Sequence, residues 1–436
     1  MAKSTLVKAC FFSFTLAQLV SLFGDRLHQF SVIGMIGRVA PGSSFELFQF
    51  AVFSHLPIII FAPVFGSLID RANRAVVLVL VDAFRGLVVL CIPFLYHMMG
   101  NMYAFYIPVF VLSLANLLFA PAKSAAIPEY FGSLKLLQIN AVLWGLGIVG
   151  TIGGFLLGGW FFDYMTWEVS FYCDGASYLV STVFLVPLFF LAGSVARPRD
   201  PADLTAPGGR SRHPASPGPG TPTAAPGRTR RFAPVGPSAL VDSIRDGLRL
   251  IEANRQVAYC LIAQTALFVV LGGLYVVGVA RLQEVLPTDK TIYLSAVATA
   301  GTVGLLIGSG LAAMSQRLMS PNRVVAHSAL LMAASLVGVS RAESLIPLMT
   351  WTFLLGIGMS PVMIVTETLL QIHIPGSFRG RVFAAREVVT KTAFLGASLL
   401  ATLLTLAVYK PLIIFLIGVV LAVTGVVLER KNYLRV

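Results

Sequence analysis

Nine side chains able to carry charge stand inside or at the edges of long apolar runs: Asp25, Arg26, His55, Asp82, Arg85, Glu367, Arg386, Glu387 and Lys391. An ionisable group in the middle of a lipid-spanning helix costs about 2.5–3.5 kcal/mol on insertion scales, so each needs a partner or a wet cavity. Asp25 is the sharpest. It lies past the midpoint of its run, next to Arg26, and a carboxylate there can hold a proton in one conformation and release it in another. The pair could equally bind a substrate, or form a permanent ion pair that locks one helix to a neighbour. His55 could carry a proton near neutral pH, although a lone histidine also serves as a hydrogen-bonded packing residue. Asp82 and Arg85 are three residues apart on one helix face and can satisfy each other. Glu367, Arg386, Glu387 and Lys391 fall near one end of two later runs. With Asp82, Arg85 and Asp70 they are expected to form the charge network that docks two halves of the molecule.

Other chemistries are excluded by what is missing. No G-x-x-x-x-G-K-[ST] loop is present, so a nucleotide cradle is not expected. Cys10, Cys91, Cys173 and Cys260 are far apart, without a CxxC or Cys/His cluster, which supports neither a disulfide framework nor a metal site. No His/Asp or paired-carboxylate constellation stands at one end of the runs, so no enzymatic activity and no cofactor are expected.

The elements that must position these groups follow from composition. Of 436 residues, 57% are hydrophobic and only 12% charged, about half the charged share of a soluble domain. The solvent for most of this chain is lipid. A membrane helix needs roughly 20 apolar residues. By that measure spans fall near 9–36, 45–69, 75–97, 102–121, 137–160 and 169–193, then near 257–282, 291–315, 322–340, 344–370, 383–407 and 410–428. Each half contributes six. The N-terminal run lacks a small-residue cleavage site and reads as a retained first span.

The net charge of +13 would suggest nucleic acid in a soluble protein, but here the basic residues alternate in density between successive connections. With the N-terminus inside, 23 of the 32 Lys and Arg residues fall in inside segments and five outside. That bias predicts both termini in the cytoplasm, in a bacterial inner membrane, and argues against a nucleic-acid partner. The inside count takes Lys123 as a loop residue following a helix break at Pro121. Residues 194–237 are rich in Pro, Gly, Ala and Arg and are expected to form a disordered cytoplasmic linker. Residues 238–255 place Leu240, Ile244, Leu248 and Ile251 at helical spacing against Asp242, Arg245, Asp246 and Arg249, the pattern of an amphipathic interfacial helix. The predicted domains are therefore a six-helix bundle over 1–193, the linker, this helix, and a second bundle over 256–436.

The halves echo each other. The fourth span ends in "LFAPAKSAAIPEYFGSLK", where Pro121 is expected to break the helix, and the tenth contains "GMSPVMIVTETLLQIHIPGSFRGR", with Pro361 in its last turns; a short basic loop and then an apolar helix follow in each. That placement suits a duplicated six-helix unit.

Between spans two and three stands Gly66-Ser-Leu-Ile-Asp70-Arg71-Ala-Asn-Arg74, which resembles the G-x-L-x-D-R-x-x-R loop signature of the major facilitator superfamily. The resemblance implies twelve transmembrane helices in two pseudo-symmetric six-helix bundles, with Gly66, Asp70, Arg71 and Arg74 forming a cytoplasmic gating loop. "FGDRLHQF", "DAFRG", "FAPAKSAAIPE", "LWGLGIVGTIGGFLLGG" and "IPGSFRGRVFA" look like the efflux branch that contains the enterobactin exporter and macrolide efflux proteins, with some similarity to lysophospholipid transporters. The glycine run from Gly145 to Gly154 resembles the antiporter signature of the fifth span, with Thr151 where that signature carries Pro. The resemblance implies a proton-coupled exporter of small amphipathic molecules, acting as a monomer among membrane lipids. It also implies that spans one, four, seven and ten line the cavity, which makes Gln18, Tyr106, Asn116, Gln264, Tyr275, Trp351 and Thr352 candidate cavity residues.

Overall fold

The computed structural model describes residues 2–69, 73–131, 136–195, 254–287, 290–315, 319–374 and 379–431. The predicted linker, nearly all of the predicted interfacial helix, and Asp70 and Arg71 of the loop signature lie outside them. Among the described residues every regular element is a helix, and twelve helical spans are long and apolar enough to cross a membrane.

In lipid the backbone must satisfy its own hydrogen bonds, which is why apolar runs of this length become helices. The first span is Ala2–Val39 and the second Ser44–Ile69. The third starts at Arg74, where Asn73 Oδ1 accepts from the backbone N–H groups of Ala75 (3.0 Å) and Val76 (3.4 Å). It is interrupted at Cys91 because Pro93 follows, and resumes as Ile92–Met99. The fourth is Tyr103–Phe131, the fifth Leu136–Tyr164, and the sixth Trp167–Leu185 continued by Leu188–Val195 after Pro187. The seventh, Arg255–Val285, is capped by Asn254 as the third is by Asn73. Thr291–Ser315, Pro321–Arg341, Leu345–His373, Arg379–Leu404 and Lys410–Lys431 complete the twelve.

Two expectations are corrected here. Pro121 does not end the fourth span, which continues through it and Pro128 to Phe131. Lys123 is therefore a membrane residue and not a loop anchor. Pro361 sits inside the tenth helix, as the expected bounds of that span have it, and the helix runs on to His373. A proline removes one backbone bond, and in a membrane bundle neighbouring groups absorb that loss. The echo survives in a different form: both halves carry a proline well inside the matching helix.

The duplication is visible in packing. Span one packs on spans five and six, span three on four and six, and span two on four. The same five pairings recur between spans seven to twelve. The halves meet through spans five and eight and through spans two and eleven, two pairs that exchange under the same duplication. We call the face where span one starts and span twelve ends the terminal face, and the opposite one the distal face.

Candidate functional site

The distal face is closed by contacts between the halves. Asp163, in the last turn of span five, accepts hydrogen bonds from the backbone N–H groups of Thr291 (2.8 Å) and Ile292 (2.6 Å), the first residues of span eight. Gln283 of span seven donates to the Ile33 carbonyl (3.2 Å), and the Gly42 N–H donates back to Gln283 (3.3 Å). Lys410 donates to the Gly42 carbonyl (2.7 Å) while paired with Glu284. Gly42 has φ +71°, a conformation L side chains rarely adopt. Beneath these bonds one apolar cluster takes Phe30, Ile33, Ile36 and Phe162 from the first half and Val276, Ala280 and Leu294 from the second. The apolar cluster nearest the terminal face of the first half contains no residue of the second.

On the terminal side of this seal a cavity of about 740 Å³ lies between the halves. Its first wall carries Arg26, Lys123 and Thr151, and its second Gln264, Glu367, Arg386, Glu387, Thr390 and Lys391. Arg386 is held by both Glu367 and Glu387, the latter at 2.6 Å. Lys391 lies over the Phe268 ring, 5.2 Å from its centroid. Arg26 donates to Gln29 (2.9 Å) and to Thr151 (3.4 Å). Deeper toward the distal seal a second cavity of about 370 Å³ is lined almost wholly by apolar groups, among them Phe30, Ile33, Phe155, Leu271, Tyr275 and Phe394. The two cavities differ in polarity and follow one another between the halves, each in the size range of small-molecule sites, and they suit a solute with a polar end and an apolar body.

Behind the first wall, inside the N-terminal half, spans one, three, four and six enclose a polar cluster. Tyr178 donates its hydroxyl to Asp25. Asp174 is fully buried, with His28 Nδ1 3.4 Å from its Oδ2. Asp82 accepts from Arg85 (3.3 Å) and from Ser181 (2.6 Å). Arg85 donates to Asn116 and stacks over Phe119, 4.4 Å from the ring centroid. Of the three carboxylates gathered here, among the described residues only Asp82 bonds the buried Arg85 guanidinium, and Lys123 sits within the field of Asp25 and Asp82.

This arrangement differs from several expectations. Asp25 and Arg26 do not pair: neighbours on a helix point about 100° apart, so Asp25 turns inward to Tyr178 and Arg26 toward the cavity. Among the described residues the expected charge network does not bridge the halves. Among the described residues Asp82 and Arg85 bind within the first half, while Glu367, Arg386 and Glu387 bind one another within the second. Gln264, Tyr275 and Thr352 line the cavities. Tyr106 turns instead to Glu46 (2.6 Å), Asn116 to Arg85, Trp351 packs against Gly338, and Gln18 is buried in its bundle. His55 meets Phe394 of span eleven edge-on at 4.8 Å, at the junction of the halves. Of the loop signature, Gly66 lies in span two and Arg74 starts span three, paired with Glu129 of span four. His28, Asp163, Asp174 and Tyr178 were not anticipated. Asp174 stood in the sixth apolar run, and His28 one turn from Asp25 on the same face, which was the available signal.

The glycine run of span five is a packing surface. A Cβ on Gly154 would lie 2.6 Å from both Arg26 Cβ and the Phe23 carbonyl oxygen, and one on Gly150 3.3 Å from the Leu19 carbonyl. These glycines let span five lie against span one, as small residues do in membrane helix pairs.

A chain-wide similarity accompanies this geometry. The chain overlays a bacterial homologue of the iron transporter ferroportin, in its inward-facing state, with TM-score 0.67 over 98% of this chain and 99% of the other, at 15% identity. The nucleoside transporter NupG overlays with TM-score 0.62 over 98% of both chains, at 12% identity. At such identities the likeness is one of fold. An MFS-type transporter of Bacillus subtilis (strain 168), YfiS, described as uncharacterized, is 26% identical over 175 residues, covering 40% of each chain, so the alignment spans less than half of that relative. The family model of the Major Facilitator Superfamily matches residues 9–320. With twelve spans, two six-helix halves and a cavity between them, the chain belongs to the major facilitator superfamily.

Proposed function

We propose that this multi-pass membrane protein is a secondary active transporter that exports amphipathic organic molecules by alternating access, with the proton as coupling ion. One observation carries the reading: a polar cavity and an apolar pouch, stacked between two duplicated halves and sealed at the distal face by contacts that cross between the halves. Rocking the halves apart at that seal and together at the opposite face would expose the same cavity to the other side. The Lys and Arg bias makes the terminal face cytoplasmic, in a bacterial inner membrane, so the conformation described is closed to the outside. Asp25 is the proposed proton carrier. Its environment, with Tyr178 as hydrogen-bond donor and Asp174, Asp82 and His28 nearby, sets three carboxylates against two neighbouring cations, Arg85 and Lys123, which supports a site that gains and loses a proton.

The reading is tested in proteoliposomes with an imposed pH gradient, following flux of a panel of drug-like amphiphiles. Flux should respond to the gradient in the wild type and lose that response in Asp25→Asn with the protein still monodisperse. Flux indifferent to pH and to membrane potential, or an unaltered pH response in the variant, would remove the coupling part. A second reading, transport of lysophospholipid, is favoured by Lys123 facing the cavity beneath the apolar pouch. Flipping of a fluorescent lysolipid in liposomes separates the two.

A further inference from the structure

The walls of the larger cavity are unevenly charged. Four cationic side chains line it, Arg26, Lys123, Arg386 and Lys391, against two acidic ones, Glu367 and Glu387. Both glutamates are committed to Arg386. Among the described residues Arg26, Lys123 and Lys391 form no ion pair: Arg26 has only neutral acceptors, and Lys391 rests on the Phe268 ring. Asp25 and Asp82, the carboxylates whose field reaches Lys123, are not among the cavity-lining residues and have their own donors, Tyr178 for the first and Arg85 with Ser181 for the second.

Cations kept without counter-charge at membrane depth are costly and are retained where they face an aqueous path or a ligand. A cleft lined by one sign of charge, between low-dielectric walls, concentrates the opposite ion. The cations without an ion-pair contact come from both halves, Arg26 and Lys123 from spans one and four and Lys391, in the field of Glu387, from span eleven, so a single anionic group lodged between them would tie the halves together. Directly distal lies the pouch of Phe30, Ile33, Phe155, Leu271, Tyr275 and Phe394, which offers no charge.

We infer that the substrate is an amphipathic anion: its acidic head is held between Arg26, Lys123 and Lys391, and its apolar body lies in the distal pouch. This rests on the transporter reading above and narrows it, since cationic amphiphiles are excluded.

The test reads binding without flux. Purified protein in nanodiscs of neutral phosphatidylcholine is titrated with three probes sharing one body: 11-(dansylamino)undecanoate, its methylamide, and the matching trimethylammonium compound. The carboxylate probe should bind about tenfold more tightly than the methylamide, and the ammonium probe most weakly. Lys123→Gln and Lys391→Gln should each remove about five- to tenfold of the carboxylate affinity and leave the methylamide within about twofold, with Lys391→Arg restoring the preference. Displacement of the probe by dodecanoate or by lysophosphatidylglycerol identifies which one-chain anion is held. Equal or tighter binding of the ammonium probe overturns the inference. So does a uniform loss for all three probes that Lys391→Arg does not repair. Charge preference without flux in liposomes would sink the transport reading and leave this one standing; gradient-driven flux of the ammonium probe would do the reverse.

Discussion

Asp163 offers a direct handle on the distal seal. Its carboxylate accepts two short backbone bonds, at 2.8 and 2.6 Å, from the first residues of span eight, so it acts as an N-terminal cap supplied by the other half of the molecule. Removing such a cap costs about 0.5–2 kcal/mol. The loss of a negative charge at the positive end of a helix adds about 0.3–1 kcal/mol. In the distally open state water takes over these groups, so only the surplus counts, and about 2 kcal/mol is a reasonable net for Asp163→Ala. That is about a 30-fold shift in the closed-to-open ratio, enough to raise a distally open population from about 1% to about a quarter. Spin labels at Asn101 and Glu343, both exposed and on opposite halves at the distal face, would report it by pulsed electron resonance with the native cysteines replaced. The distance distribution should gain a longer component in Asp163→Ala and a smaller one in Asp163→Asn, which still caps. An unchanged distribution in Asp163→Ala, with the protein monodisperse, would refute the claim that this bond helps hold the face shut.

Two further outcomes test the interior. Arg85 is 2% exposed and Asp82 wholly buried, so Arg85→Leu should cost about 3–5 kcal/mol by stranding a carboxylate, read as lowered thermal stability, and Asp82→Asn added to it should recover much of the loss. Equal destabilisation in the single and double variants would deny the pairing. Gly154→Ala should lower thermal stability by about 1–3 kcal/mol through overpacking against span one, whereas Gly145→Ala, whose Cβ would meet nothing within 4 Å, should be tolerated; equal behaviour of the two would remove the packing account of the glycine run.

Much of the architecture is legible without coordinates, because span length and the distribution of Lys and Arg are one-dimensional properties set against a slab of fixed thickness. Ten of the twelve spans match the expected bounds to within four residues, while span one starts seven residues earlier and span four ends ten residues later than expected. The misreading of Pro121 shows where that logic stops. In water a mid-helix proline is a strong terminator, but in a bundle the alternative, an open chain in lipid, is worse. Lys123, which that logic puts in a loop, faces the cavity.

The site was only half legible. That Asp25, Arg26, Glu367, Arg386 and Lys391 needed partners followed from the cost of charge in lipid alone. Which partners they have did not. Asp25 meets Tyr178 from a helix some 150 positions away, and Arg386 closes on glutamates of its own half, because rotation about each helix axis and the choice of neighbouring helix are decided by packing. The glycines of span five show the same division: their spacing marks a close helix contact, but only the fold says that span one is the neighbour. The sequence by itself determined that this chain is a twelve-span bundle, that it carries unusual charge within its spans, and that its two halves echo each other in the placement of a proline and a basic loop. Tertiary structure alone decided that Asp163 crosses between the halves to cap span eight, that three carboxylates gather behind the wall of the cavity, and that cations without an ion-pair contact remain on its surface, since each of these depends on contacts between helices distant in the chain.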